Sequence, residues 1–257
     1  MPFQDSIKFQ GRIPLPTDSL NQPIREGDSV IIVIGLSGAG KSTFINKLFG
    51  QDVAKVGHDL AFQTTEPQYY TLRHTESDGE APRYTHVIDT PGIDSGCLES
   101  SRIMMDIHAW LLQQFGKRGV DGIIFLHEIT QGRQPGIVPR NLHLFCSNAA
   151  TCIRATENNI IATTKWDDIN LEKGLKRETE LRDEWKDLLR HDGTRMRRLE
   201  NSQASAIGLV NEIIAKATPR PCHIPKKEEL GKDSESRVMR TFTRVWNIIK
   251  SCRILQR

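Results

Sequence analysis

The chain has 257 residues, 37% of them hydrophobic and 26% charged, with a formal net charge of +3. That length holds one sizeable domain or one domain plus an appendage, no apolar run approaches a bilayer-spanning length, and the opening "MPFQDSIKFQ" lacks the basic-then-apolar layout of a secretory signal. The five cysteines (97, 146, 152, 222 and 252) form no C-x-x-C pair, which argues against a metal cluster or disulfide framework and for a reducing, cytoplasmic setting.

Residues 1–28 are polar, carry Pro14, Pro16 and Pro23, and read as a flexible lead. "SVIIVIG" (29–35) is a β-branched apolar run of the kind that forms a buried central strand. "KSTFINKLFG" follows as a helix, with Phe44, Ile45, Leu48 and Phe49 at helical spacing and Gly50 as its stop. "PQYYTLRH" (67–74) and "RYTHVIDT" (83–90) read as two strands of a hairpin joined by "TESDGEAP". "RIMMDIHAWLLQQF" (102–115) has helical periodicity. "GVDGIIFLHEI" (119–129) and "NNIIATTKW" (158–166) read as strands, with a helix expected in "VPRNLHLFCSNAATCIRA" between them. "LEKGLKRETELRDEWKDLLR" (171–190) predicts one charged helix with Leu171, Leu175, Trp185 and Leu188 on its apolar stripe. "ASAIGLVNEIIAKA" (204–217) predicts a last helix. Strands alternating with helices imply an α/β fold: a mainly parallel sheet with helices on both faces, over residues 29–217.

Residues 218–232 contain three prolines and read as a linker. Beyond them Val238, Phe242, Val245, Ile249 and Cys252 form a helical stripe. From Arg237 onward there are six basic residues and no acidic ones, so residues 1–236 carry −3. A basic amphipathic helix of this kind has three readings: it packs on the parent domain or a protein partner, it lies on an anionic membrane surface, or it is disordered or touches nucleic acid weakly, with no specific nucleic-acid partner expected. The end "ILQR" is not a prenylation box.

"GLSGAGKS" (35–42) matches G-x-x-x-x-G-K-[ST] at each fixed position. Its glycines let successive backbone N–H groups face phosphate oxygens, and the helix that follows adds its positive end. Ser37, Gly38, Ala39, Gly40, Lys41, Ser42 and Thr43 are the expected phosphate contacts. Lys41 supplies charge to the β and γ phosphates, and the Ser42 hydroxyl ligates Mg²⁺. "DTPG" follows a strand: Asp89 is placed to hold Mg²⁺, and Gly92 to bring its N–H to the γ-phosphate. Between these motifs Thr65, with Thr64 the close alternative, is the expected switch hydroxyl on the metal.

"TTKWD" (163–167) sits at a strand end. Guanine offers N1–H and N2–H₂ on one edge, a donor pair that an ionised carboxylate such as Asp167 accepts and that adenine lacks. Lys165 has a stem long enough to cover the base, and Thr164 would brace the loop.

"GLSGAGKS", "DTPG" and "TKWD", in this order, resemble the translation-factor-related class of GTPases. Within it the chain is similar to the septin, Toc and immune-associated (GIMAP-type) group, above all its small single-domain fungal members. The resemblance spans roughly residues 29–217. It implies a P-loop G domain that binds GTP or GDP with Mg²⁺, acts as a nucleotide switch and associates across its nucleotide face. For the last base contact, Ser205 and Ala206 begin a helical stripe, whereas "LENS" (199–202) matches the segment such proteins use, which assigns Glu200 and Asn201.

The residue after Gly92 is Ile93, and an aliphatic side chain cannot orient a water. Hydrolysis is therefore expected to be slow or to draw on another group, with Asp94 and Arg133 the candidates. Arg133, in "HEITQGRQPG", would act across a dimer as an arginine finger. His127 is read as a polar strand-end residue. Two other readings stay open: a scaffold that holds GTP or GDP without turnover, and an ATP-using P-loop enzyme, against which Asp167 argues.

Overall fold

The computed structural model describes residues 24–25, 27–56, 64, 66–73, 83–93, 97–115, 119–131, 158–191 and 193–217. Residues 1–23 and 26 of the lead, the hairpin turn, the helix expected around 138–155 and the basic tail lie outside the described residues, as do Thr65, Asp94 and Arg133, whereas Ile24 and Asp28 at the end of the lead are buried.

Among the described residues, six strands form one sheet in the order β2-β3-β1-β4-β5-β6. They are β1 (Ser29–Gly35), β2 (Gln68–Arg73), β3 (Tyr84–Asp89), β4 (Gly122–Glu128), β5 (Asn159–Thr164) and β6 (Arg195–Arg198). Only the edge strand β2 runs antiparallel, paired with β3 from Gln68↔Asp89 to Arg73↔Tyr84, as its hairpin connection requires. The other pairings, β3–β1–β4–β5–β6, are parallel.

Helices cover both faces. Successive residues of β1 point to opposite sides, and all seven are buried, so a central strand with two covered faces has no polar side to show. Val30, Ile32 and Ile34 join Met104, Ile107, Leu111 and Phe115 of α2 (Cys97–Phe115). Ile31 and Val33 face Phe44, Ile45 and Leu48 of α1 (Lys41–Phe49) and Leu209, Val210 and Ile213 of α5 (Gln203–Ile214). Each such side chain contributes about 1.5–3 kcal/mol when fully buried.

Two expectations are corrected. The charged helix is not continuous: α3 (Leu171–Glu184) and α4 (Lys186–His191) meet at Trp185, whose side chain is fully buried. The expected stripe also does not all face inward. Leu171 and Leu175 are 63% and 42% exposed, and α3 buries Gly174 and Glu178 instead. Besides these, β6 is a strand the sequence reading did not contain. Three of its four residues are arginines, which conceals it. Arg197 makes a bidentate pair with Glu212 of α5 (2.8 and 2.6 Å), and Arg198 pairs with Glu178 of α3, so the charges have partners while Met196 fills the core.

Candidate nucleotide-binding site

The parallel strands β1, β4 and β5 and the adjoining β3 all end on one side of the sheet, where loops of an α/β fold gather ligand contacts. β1 leads into the phosphate loop. Gly38 (φ 79°) and Gly40 (φ 92°) both take left-handed backbone there, which β-carbon-bearing residues rarely adopt. α1 begins directly after Gly40, so the loop meets the free N–H groups of a helix start. Lys41 is buried and donates from Nζ to the loop carbonyls of Gly35 (3.2 Å) and Leu36 (3.0 Å). The ammonium is thus held against the loop it is expected to serve.

Ser42 Oγ donates to Asp89 Oδ2 at 2.9 Å, joining the start of α1 to the end of β3. Asp89 Oδ1 is buried and accepts no hydrogen bond. Burial pushes the Asp89 carboxyl above the usual carboxylate range, against the opposing pull of the Ser42 hydroxyl, the Lys41 charge and the Thr90 N–H. A buried carboxylate oxygen without a donor beside a serine hydroxyl fits a hard divalent cation such as Mg²⁺, which takes one or two protein oxygens and completes its shell with water and phosphate. No group of three or more His, Cys, Asp or Glu suited to a metal occurs among the described residues. The Thr64 hydroxyl lies 3.5 Å from Ser42 Oγ, at the limit of a hydrogen bond.

The "DTPG" segment packs on the phosphate loop. A β-carbon on Gly92 would sit 2.7 Å from Ser37 Cα and 2.9 Å from its N, closer than atoms approach. Ile93 donates its N–H to Gly35 O at 3.0 Å, and its side chain is fully buried in the core. Ile93 therefore contributes no side chain to the phosphate loop.

The base loop follows β5. Thr164 Oγ1 donates to Ala39 O in the phosphate loop at 3.0 Å, across 125 positions of sequence. Lys165 has φ 59° and turns the chain into a short 3₁₀ segment, Trp166–Asp168, that leaves Asp167 exposed. Lys165 Nζ pairs with Glu128 Oε2 of β4 at 2.9 Å. Despite partial burial, hydrogen bonds from Thr130 and Lys165 hold the Glu128 carboxyl below its usual range. Glu128 was missed from sequence because nothing in "HEITQ" marks a partner 37 positions away.

Glu200 and Asn201 are exposed and follow β6. Asn201 lines a cleft of about 1080 Å³ with Thr43, Lys47 and Gln51. Ser205 and Ala206 lie in the first turns of α5, where Ser205 N donates to Ser202 Oγ at 3.2 Å and Ala206 is buried. His127 is buried and meets Trp185 edge-on, ring centroids 5.1 Å apart. Burial pushes its pKa down to about 4.

A family model described as 50S ribosome-binding GTPase matches residues 30–161. GTPase Era of Erythrobacter litoralis (strain HTCC2594) is 32% identical over 110 residues, which are 43% of this chain and 34% of that protein. The chain thus spans about a third of the length of this relative. Among solved structures, Toc33 from Arabidopsis thaliana with Mg²⁺ and GMPPNP aligns over 77% of this chain and 89% of its own, at 18% identity and a TM-score of 0.53. Its complex with GDP and Mg²⁺ aligns at 16% identity and 0.52 over 77% and 88%. Another aligned structure is a dimerisation-deficient Toc33 in which one arginine is replaced by alanine, at 15% identity and 0.53 over 77% and 88%. The likeness to these structures is one of fold. No described helix is long and apolar enough to cross a membrane. The family match runs from β1 into β5 over slightly more than half of the chain, and on it the protein belongs to the 50S ribosome-binding GTPase family, as a P-loop GTPase G domain.

Proposed function

We propose that the protein is a guanine-nucleotide switch that binds GTP or GDP with Mg²⁺ and hydrolyses GTP slowly unless a second copy assists. The observation that carries this reading is the Thr164–Ala39 hydrogen bond. It ties the loop expected to read guanine to the loop expected to hold phosphate, so one nucleotide can reach both.

In this reading Ser37 to Thr43 cradle the phosphates through backbone N–H groups, and Lys41 exchanges its two carbonyl partners for phosphate oxygens. Ser42 and Asp89 hold the metal, which when bound neutralises charge between the β and γ phosphates. Thr65 or Thr64 adds the switch hydroxyl, and the Ser42 contact favours Thr64. Gly92 offers its N–H to the γ-phosphate. Asp167 accepts from guanine N1–H and N2–H₂, the Lys165 stem lies along the base, and Glu200 and Asn201 close its far edge. Hydrolysis breaks the bond between the γ-phosphorus and its bridging oxygen as water adds, giving GDP and phosphate. The buried Ile93 supports slow turnover by the isolated chain.

The finer grouping with septin-, Toc- and GIMAP-type proteins, and with small fungal G proteins, belongs to the same proposal. It rests on the three motifs and on the likeness to Toc33, whose aligned variant links an arginine to dimerisation. Arg133 is then the candidate to act in a partner copy's site. Residues 29–217 form the G domain. The basic tail is the candidate contact with a protein partner or membrane surface.

Competition against labelled GDP tests the base assignment. Two hydrogen bonds to a charged acceptor, at roughly 1.5–3 kcal/mol each, predict that ATP displaces at least about a hundredfold less well than GTP. Equal displacement by ATP would overturn the proposal. The buried Ile93 also supports a second reading, a GTP- or GDP-bound scaffold without turnover. Phosphate release measured across protein concentrations separates the two.

A further inference from the structure

We infer that Arg198 and Trp166 are positioning residues for guanine discrimination, locking the two base loops at a fixed separation. The inference rests on the guanine-nucleotide reading above. Trp166 is the variable residue of "TKWD", between Lys165 and Asp167, and Arg198 lies three residues before Asn201. The Arg198 guanidinium stacks over the Trp166 ring, 4.5 Å from its centroid. Neither side chain is expected to touch the nucleotide, yet each adjoins residues that are.

The stack is anchored on every side. Trp166 Nε1 donates to Thr163 O (3.2 Å) and Thr163 Oγ1 (3.0 Å) on β5. The same Thr163 carbonyl accepts the N–H of Leu199 at 2.9 Å, so one atom holds both loops. Gly174 of α3 presses on the ring from below. A β-carbon there would lie 2.8 Å from Trp166 Cζ3. One helical turn on, the buried Glu178 accepts from Arg198 Nε at 3.0 Å and from its terminal nitrogen. Both contacts end on Glu178 Oε2, so two guanidinium nitrogens are held at one carboxylate oxygen while the carbon between them sits over the ring, a constraint a lysine cannot reproduce. The base-reading carboxylate of Asp167 must meet two donors at once, so its alignment is sensitive to small loop displacements.

GDP and IDP report this alignment, because hypoxanthine keeps N1–H and lacks the N2 amine. Titrations of both, and of inorganic triphosphate, are made with the full chain and with Arg198→Ala, Arg198→Lys and Trp166→Phe, alongside melting without nucleotide. Arg198→Ala is expected to weaken GDP about tenfold, IDP less than threefold and triphosphate not at all. Arg198→Lys is expected to restore the melting temperature through Glu178 but not the GDP-over-IDP preference. Trp166→Phe, which keeps a ring face, is expected to retain most of that preference. An unchanged GDP-to-IDP ratio in Arg198→Ala, or an equal loss for all three ligands, would overturn the inference. Absence of GDP binding by the unsubstituted chain would instead overturn the guanine-nucleotide reading, and this inference with it.

Discussion

The Ser42 hydroxyl and the Asp89 carboxylate are bonded at 2.9 Å, while the second Asp89 oxygen is buried with no donor. That arrangement is costly without a cation, since an unmet buried polar atom costs about 1–3 kcal/mol. The raised pKa of Asp89, caused first by burial, says the same. The native state binds the proton more tightly than the unfolded chain, so this group's contribution to stability falls as pH rises through the window above its ordinary value of 3.8. Asp89→Asn should therefore melt a few degrees higher without nucleotide or metal at neutral pH, at about 2–4 °C per kcal/mol. It should also lose most of the Mg²⁺ dependence of GTP affinity. Melting curves and titrations with and without Mg²⁺ check both halves.

Gly92→Ala tests the contact between "DTPG" and the phosphate loop. The added carbon would fall within 2.9 Å of Ser37 backbone atoms, which cannot swing away as a side chain could. The loop must move to admit it, and the N–H expected at the γ-phosphate moves too. GTP affinity should drop about tenfold or more, about 1.4 kcal/mol, with a smaller loss for GDP. Equal losses for the two nucleotides would place the strain elsewhere.

The phosphate and base motifs were legible because each is local: a few adjacent residues carry the backbone turn and the chemistry together. β1 was legible because burial on both faces leaves a continuous apolar run. What stayed hidden depends on partners far along the chain. β6 looks unlike a strand until Glu212 and Glu178 are seen against its arginines. The Leu171–Leu175 stripe misled for a related reason. Periodicity shows that a helix has faces, but the buried one here is set by Gly174 admitting the Trp166 ring and Glu178 receiving Arg198. The Thr164–Ala39 bond and the Glu128–Lys165 pair likewise join distant segments that no spacing rule connects.

His127 should impose an acid limit on stability. Its pKa is pushed down to about 4, first by burial, from an ordinary 6.5. Between those values the unfolded chain takes up a proton that the folded chain refuses. Stability is whole above about pH 6.5 and is lost as pH falls toward 4, by about 3 kcal/mol at about 1.4 kcal/mol per pH unit. His127→Phe keeps an edge-on ring against Trp185 and carries no proton. Denaturant midpoints of the variant should fall less steeply with acid than those of the native chain. Parallel pH profiles would show that the imidazole is not the group responsible.

Arg133 lies outside the described residues, so its case rests on the dimer proposal and on what Ile93 does instead of catalysis. Ile93 is committed to the core, which leaves the attacking water without the side chain a Ras-like enzyme would use. If a second copy supplies the missing charge, turnover per chain should rise with protein concentration and then level off. Arginine fingers contribute about 10³–10⁵ in rate, so even a poorly seated one leaves a measurable concentration dependence. Arg133→Ala should leave GTP affinity within about twofold of native and flatten that dependence to the dilute-chain rate. Mixing it with a non-binding Lys41→Ala chain should restore part of the lost rate, because the Lys41→Ala copy still donates its own Arg133 to the intact site opposite. Turnover that is independent of concentration in the native chain would sink the trans contribution, and absence of turnover at every concentration would leave the GTP-bound scaffold as the better description.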